Sequence, residues 1–237
     1  MRIIAGPNGS GKSTLIELLS TNINIGVYVN ADNIEAQLKT KPILHFDDFK
    51  IKTTATKFAF FIAKKGTIGT DFFKKNLLKN FSIESNILSL SKELIDSYLA
   101  SLIADFIRNE LIQNKLSFSF ETVMSHPSKV ATIQKANKKN YSTYLYFIAT
   151  NNPSINFERI EGRIKKGGHA VNKQKAIERY KRSIALLPKA INKSYRAYIF
   201  DNTVSLQLLC EFKEGKILKE YSAYPDWFKN IHKKYLS

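Results

Sequence analysis

Met1-Arg2-Ile3-Ile4-Ala5-Gly6-Pro7-Asn8-Gly9-Ser10-Gly11-Lys12-Ser13-Thr14-Leu15 is the stretch that decides the fold. Its first five residues are a short apolar run that reads as a strand. Leu15, Leu18 and Leu19 then fall at the spacing of a helix with one buried face. Between the two, Gly6-x-x-x-x-Gly11-Lys12-Ser13 matches the spacing of a phosphate-binding loop. The glycines let successive backbone N–H groups turn inward around phosphates, where a Cβ would obstruct them. The helix that follows adds the partial positive charge of its N-terminus. On this reading Gly6, Pro7, Asn8, Gly9, Ser10, Gly11, Lys12, Ser13 and Thr14 hold a nucleoside triphosphate. Lys12 reaches the β- and γ-phosphates, and the Ser13 hydroxyl ligates magnesium. The expected cofactors are ATP and Mg2+.

Working outward, strands and helices alternate. A second strand is expected over residues 26–30, a third over 116–120, a nearly continuous apolar and aromatic fourth over 141–150, and a fifth over 197–200. A run of this last kind marks a strand covered on both faces. Residues 91–113 read as a long amphipathic helix, 58–63 and 71–78 as shorter ones, and 155–163 and 173–190 as helices flanking a break at 165–169. Residues 206–212 and 217–221 read as a hairpin closed by a Gly turn. Trp227, Phe228 and Ile231 suggest a terminal helix. The pattern predicts an α/β three-layer sandwich around a mainly parallel sheet. It is read as one domain over residues 1–237, with a helical insertion over about 42–115 and a C-terminal hairpin.

Composition narrows the partners. The 237 residues carry a net charge of +17, which favours polyanions such as nucleotides, phosphorylated metabolites or nucleic acid, and equally fits a lysine-rich solvated surface. One cysteine, Cys210, excludes an internal disulfide framework. No apolar run reaches the length of a bilayer span and the first residues carry no signal-peptide core. The expectation is therefore a soluble cytoplasmic protein with no membrane partner.

In open parallel sheets the site lies at the carboxyl ends of the strands. Asp32, Glu121 and Asp201 are all expected to follow strands directly. Asp32 could orient or deprotonate an acceptor hydroxyl, or simply cap a helix beginning at Asn33. Glu121 could bind substrate or orient water on magnesium, or cap a strand end in solvent. Residues 159–182 hold nine Lys or Arg against two Glu. Arg159 and Arg163 share one helical face, and Arg179 and Arg182 another. Such arginines could meet charge on a transferring phosphoryl group, or form a solvated pair of charged helices. Ile177, Tyr180, Ile184 and Leu187 repeat on the opposite face and are read as core. His169, beside two glycines, could touch substrate or lie on the surface. His45, His126 and His232 have no partners at metal-ligand spacing, so no zinc site is expected.

The order Gly-Pro-Asn-Gly-Ser-Gly-Lys-Ser-Thr, Asn30-Ala31-Asp32, Phe120-Glu121-Thr122, Arg163, Gly167-Gly168-His169-x-Val171, Arg179-Tyr180-x-Arg182-Ser183 and Asp201-Asn202-Thr203 resembles the zeta-toxin-like P-loop kinases. It is most similar to their chromosomal relatives, often labelled predicted ABC-type ATPases. The resemblance covers the P-loop strand and helix and most of 116–203, but neither the 42–115 insertion nor clearly the C-terminal hairpin. It implies strand order 2-3-1-4-5 and a kinase acting on a small-molecule hydroxyl. The family's toxins phosphorylate UDP-N-acetylglucosamine and are restrained by a small antitoxin. By position, the resemblance makes Asp32 the base, places Glu121 and Thr122 on the acceptor side, and sets Lys12 and Ser13 at ATP and magnesium; Asn30 and His169 are further candidates for the substrate, and Glu121 for the metal. It puts Arg163, and secondarily Arg159, at the transferring phosphate and Asp201 and Asn202 near the nucleotide. The runners-up are a nucleic-acid-associated ATPase or polynucleotide kinase, and a non-catalytic ATP-binding scaffold for a protein partner.

Overall fold

The computed structural model describes residues 1–64, 71–165 and 172–235, with side chains left undescribed over 71–74. Along the chain run β1 (Arg2–Ala5), α1 (Lys12–Asn22), β2 (Val27–Val29), α2 (Ala31–Thr40), β3 (Ile43–His45), α3 (Ala55–Lys64) and α4 (Asp71–Lys79). Then come β4 (Phe81–Glu84), β5 (Ile87–Leu90), α5 (Ser97–Gln113), β6 (Phe118–Thr122), α6 (Ser128–Asn137), β7 (Tyr144–Ala149) and α7 (Pro153–Ile164). The last are α8 (Lys173–Lys193), β8 (Arg196–Asp201), β9 (Gln207–Lys213), β10 (Lys216–Glu220) and α9 (Asp226–His232). They form two compact units, residues 1–25 with 119–237, and residues 26–118.

In the first unit the strands lie in the order β10-β9-β8-β7-β1-β6. β6, β1, β7 and β8 are mutually parallel; β9 and β10 continue the sheet antiparallel. The third, first, fourth and fifth strands of the expected order are thus neighbours as the resemblance implied. The hairpin adds two strands to that sheet. β7, Tyr-Leu-Tyr-Phe-Ile-Ala, is buried almost throughout because both of its faces are covered. Ile4, Leu15, Tyr146 and Ile148 bring α1 down onto the sheet, and Tyr146 stacks on Tyr198 with ring centroids 5.0 Å apart. α8 buries Tyr180, Ser183, Leu187, Ala190 and Ile191 at three- and four-residue spacing, so its charges fall outside.

Several boundaries differ from those expected. β6 runs to Thr122 and β8 to Asp201, so Glu121, Thr122 and Asp201 end strands rather than follow them. α6, around Val130, Ile133 and Ala136, was not expected at all. The long helix begins at Ser97, where Asp96 accepts from the Leu99 N–H; residues 92–94 form a separate 3₁₀ turn.

The second unit is wider than the expected 42–115 segment and is not purely helical. It contains an antiparallel sheet, β3-β5-β4. Ser85 and Asn86, at φ 47° and 66°, make the tight turn between β4 and β5 that suits a hairpin's twist. The Asn86 side chain accepts from the Thr53 N–H and donates to the Ile51 carbonyl, pinning the connection that precedes α3. Phe46, Phe58 and Phe106 are fully buried here, with Phe106 set edge-on to Phe46 at 5.7 Å and to Phe58 at 4.9 Å. Such aromatic contacts add to the burial of area itself. Replacing Phe106→Ala is expected to cost about 3–5 kcal/mol, measured as a lower midpoint in chemical denaturation.

Candidate nucleotide-binding site

The loop between β1 and α1 is shaped by what presses on it. Gly6 and Gly9 have φ of 146° and 75°. A Cβ on Gly6 would sit 2.0 Å from the Ile148 carbonyl oxygen, and one on Gly9 would sit 2.3 Å from the Asn156 carbonyl oxygen. Both neighbours are backbone, so neither can yield to a side chain. Gly11 ends the loop in the left-handed region and offers α1 no side-chain cap. The first-turn N–H groups of α1 therefore face the loop without a capping side chain, the arrangement that receives anions.

Lys12, 7% exposed, donates to the carbonyls of Gly6 at 3.0 Å and Pro7 at 2.9 Å and lies 3.8 Å from the Glu121 carboxylate. Asn8 Oδ1 and Ser10 Oγ are buried with no hydrogen-bond partner among the described residues. The Ser13 and Thr14 side chains are exposed at the start of α1. This cradle of backbone donors, one lysine and a first-turn hydroxyl fits a polyphosphate with its metal ion.

Three elements brace the loop. Asn202, just after β8, donates through Nδ2 to the Ser10 carbonyl at 2.9 Å. Asn156 on α7 donates through Nδ2 to the Asn8 carbonyl at 2.8 Å, and its Oδ1 accepts from the Thr150 hydroxyl. The Thr150 carbonyl in turn accepts from the Tyr180 hydroxyl on α8 at 2.6 Å. Burial, and secondarily the negative charge of Asp201, pushes the Tyr180 pKa up to about 12, so this phenol stays a donor at any ordinary pH. A run of hydrogen-bonded groups thus joins α8, the end of β7 and α7 to the loop.

Other expected residues take varied places. Asp201 is buried, and its carboxylate accepts from the Thr203 N–H, the Thr203 hydroxyl and Trp227 Nε1. Of the two residues expected near the nucleotide, Asn202 is the one that touches the loop. Arg159 donates to the Asn202 carbonyl at 2.8 Å and the Thr203 carbonyl at 3.2 Å, so here it braces a turn. Arg163, one helical turn on, is exposed, and Arg182 pairs with Glu178 at 3.8 Å. Thr122 Oγ1 accepts from the Met124 N–H, and Ser183 Oγ donates to the Val123 carbonyl, which sets the turn after β6. His169 lies outside the described residues.

Asn30 and Asp32 belong to the second unit. Asn30, not Asp32, caps α2: its Oδ1 accepts from the Asp32 and Asn33 N–H groups at 2.8 and 3.4 Å. The helix starts at Ala31, two residues before the Asn33 start considered from sequence, which leaves Asp32 exposed in its first turn. Among the described residues no cluster of three His, Cys, Asp or Glu could hold a metal ion by itself. No helix among them is long and apolar enough to cross a membrane.

Asn156 and Thr150 were missed in the sequence. Asn152-Pro153 was the available signal, since Asn152 caps α7 and Pro153 takes its first position. That places Asn156 one turn into the helix.

The fold and loop together define an α/β P-loop protein with a mostly parallel central sheet. Residues 95–204, a little under half of the chain, match the family model for zeta toxin. That span includes Glu121, Thr122, Arg159, Arg163, Asp201 and Asn202, while the P-loop precedes it. The whole chain superposes on the crystal structure of the AvrRxo1-ORF1:-ORF2 complex with ATP, at TM-score 0.53 and 14% identity. It spans 63% of the length of that chain. It also superposes over its whole length on a structure of the PezAT chromosomal toxin-antitoxin system of the human pathogen Streptococcus pneumoniae, at TM-score 0.51 and 14% identity, covering 85% of that chain. No curated protein matches the sequence.

Gly9→Ala is expected to weaken ATP binding by roughly tenfold or more, because the strained backbone must move off the Asn156 carbonyl. Isothermal titration of ATP in the presence of magnesium measures it.

Proposed function

We propose that this protein is an ATP-dependent kinase that transfers the γ-phosphate of ATP to a hydroxyl group of a small molecule. The observation that carries this reading is Lys12 in a glycine cradle at the uncapped N-terminus of α1. The match to the zeta toxin model over 95–204 supports the kinase class. A UDP-amino sugar is the first acceptor to test, on the strength of the family resemblance. The toxin–antitoxin setting of the structural neighbour supports a small antitoxin as protein partner.

ATP supplies the phosphoryl group, and magnesium, toward which Ser13 and Glu121 are assigned, offsets charge on its phosphates. The chain's own groups divide the remaining work. Backbone donors of residues 6–13, with Lys12, bind and orient the phosphates. Asp32 accepts the proton of the acceptor hydroxyl as its oxygen attacks. Asn30, Glu121, Thr122 and His169 are assigned to the acceptor. Arg163, exposed and one turn from the braced Arg159, meets the charge spread over the transferring group.

The experiment is a mass-spectrometric and ³¹P survey of nucleotide-sugars and other hydroxyl metabolites with Mg-ATP and purified protein. Stoichiometric phosphorylation of one class is the expected result; ATP binding without transfer to any acceptor would favour the non-catalytic scaffold. The net charge of +17 supports a second reading, a polynucleotide kinase or nucleic-acid-associated ATPase. ATP turnover rising strongly with RNA or DNA, with a steep salt dependence of binding, would favour it.

Once an acceptor is in hand, Asp32→Asn is expected to lower transfer by about 10²–10⁴-fold while ATP affinity holds. Equal transfer rates in the two proteins would remove the base role. Arg163→Ala is expected to lower kcat by about a hundredfold or more with little change in the KM for ATP. A variant altered only in solubility would return Arg163 to the surface.

A further inference from the structure

Trp227, the chain's single tryptophan, sits in the short helix α9, far along the sequence from the P-loop. Its indole N–H donates to Asp201 Oδ1 at 2.8 Å and its backbone N–H to Asn151 Oδ1 at 3.4 Å. Its ring packs against Phe147 of β7 at 6.2 Å and Phe228 at 5.3 Å, and Phe228 is fully buried. The helix is thus anchored over the carboxyl ends of β7 and β8.

The turn at 201–203 is where this anchor acts. Asp201 is a buried carboxylate with three neutral donors, two of them from Thr203 and the third the indole. The Thr203 hydroxyl also accepts from the Asn151 N–H at 2.9 Å. The carbonyls of Asn202 and Thr203 receive Arg159, and the Asn202 side chain reaches the Ser10 carbonyl at 2.9 Å. Taking the indole N–H away strips a buried charge of one of its donors, a loss larger than that of a neutral hydrogen bond. The turn relieves it by shifting, and Asn202 shifts with it.

We infer that Trp227 is a positioning residue for the nucleotide: α9 is a strap that, through Asp201 and Asn202, holds the P-loop in its phosphate-binding shape. The inference rests on the proposal that the loop binds ATP. It adds the C-terminal helix to the parts that binding needs. It assigns the indole N–H a task that neither the apolar packing of α9 nor the P-loop motif requires.

The test compares Mg-ATP binding by calorimetry, and thermal midpoints, for wild type, Trp227→Phe, Asn202→Ala and the double variant. Trp227→Phe keeps a ring and removes the donor. It is expected to weaken ATP binding by about tenfold, and to add little further loss once Asn202 is already alanine. A lower thermal midpoint with unchanged ATP affinity would make Trp227 a packing residue and overturn the inference. Undiminished loss in the double variant would overturn the route through Asn202. A wild type that binds no ATP would overturn the nucleotide reading and this inference with it; binding by wild type and Trp227→Phe alike would overturn the inference alone. Should Trp227→Phe fail to fold, the wild type's only tryptophan reports directly. Acrylamide quenching of its emission is expected to fall as ATP saturates, and quenching that does not change would overturn the strap.

Discussion

The rest of the first unit depends on how closely the β1–α1 loop lies against its neighbours. The carbonyl oxygens of Ile148 and Asn156 occupy the space that side chains at positions 6 and 9 would need. Strand β7 ends against one side of the loop, α7 against another, and the turn after β8 holds its Ser10 carbonyl. A loop with left-handed residues and few bonds of its own keeps one shape only when its surroundings over-determine it. The strand order supplies those surroundings: β7 and β8 follow β1 in the sheet, so their ends and the turns beyond them converge on the loop.

That convergence explains which features could be read from the chain alone. Gly6, Gly11, Lys12 and Ser13 announced themselves because steric exclusion and phosphate geometry demand those residue types at that spacing. β1 and β7 were visible as apolar runs, and α8 as a stripe with its charges on the far side. Asn156 and Thr150 were not visible. An asparagine one turn into a helix and a threonine after a strand are common on any surface. Only the crossing of α7 over the loop makes them partners. Tyr180 was read as core, which its ring is; its hydroxyl bond to the Thr150 carbonyl depends on where a residue thirty positions earlier comes to lie.

The second unit shows a different shortfall. Its helices were anticipated near Phe58, Asp71 and the long run before Gln113, but its antiparallel sheet was not. Strands of three and four residues leave too few alternations to register a period of two. The informative element was instead the pair Ser85-Asn86, a two-residue turn whose positive φ values join β4 to β5. Asp32 illustrates the same sensitivity at a helix start. Because Asn30 takes the cap, the carboxylate falls in the first turn with its oxygens outside the capping bonds. The local motif Asn30-Ala31-Asp32 is then a cap followed by an exposed acid, two tasks on two residues.

A division of labour between neutral and charged groups runs through the first unit. The bonds that brace the P-loop from α7, α8 and the ends of β7 and β8 come from amides, a hydroxyl and a phenol: Asn156, Asn202, Thr150 and Tyr180. None of them changes charge across the physiological range, and the Tyr180 phenol, pushed up to about 12, extends that range on the alkaline side. Of the buried charged groups, Lys12 faces two carbonyls and the Glu121 carboxylate, and Asp201 faces three donors. Arg163 and most of the lysines of α8 remain in solvent. Burying an ion is costly unless its partners are fixed beforehand; Lys12, 7% exposed, has two loop carbonyls and the Glu121 carboxylate 3.8 Å away to offset that cost. The exposed cations, by contrast, stand in solvent where an arriving anion can meet them.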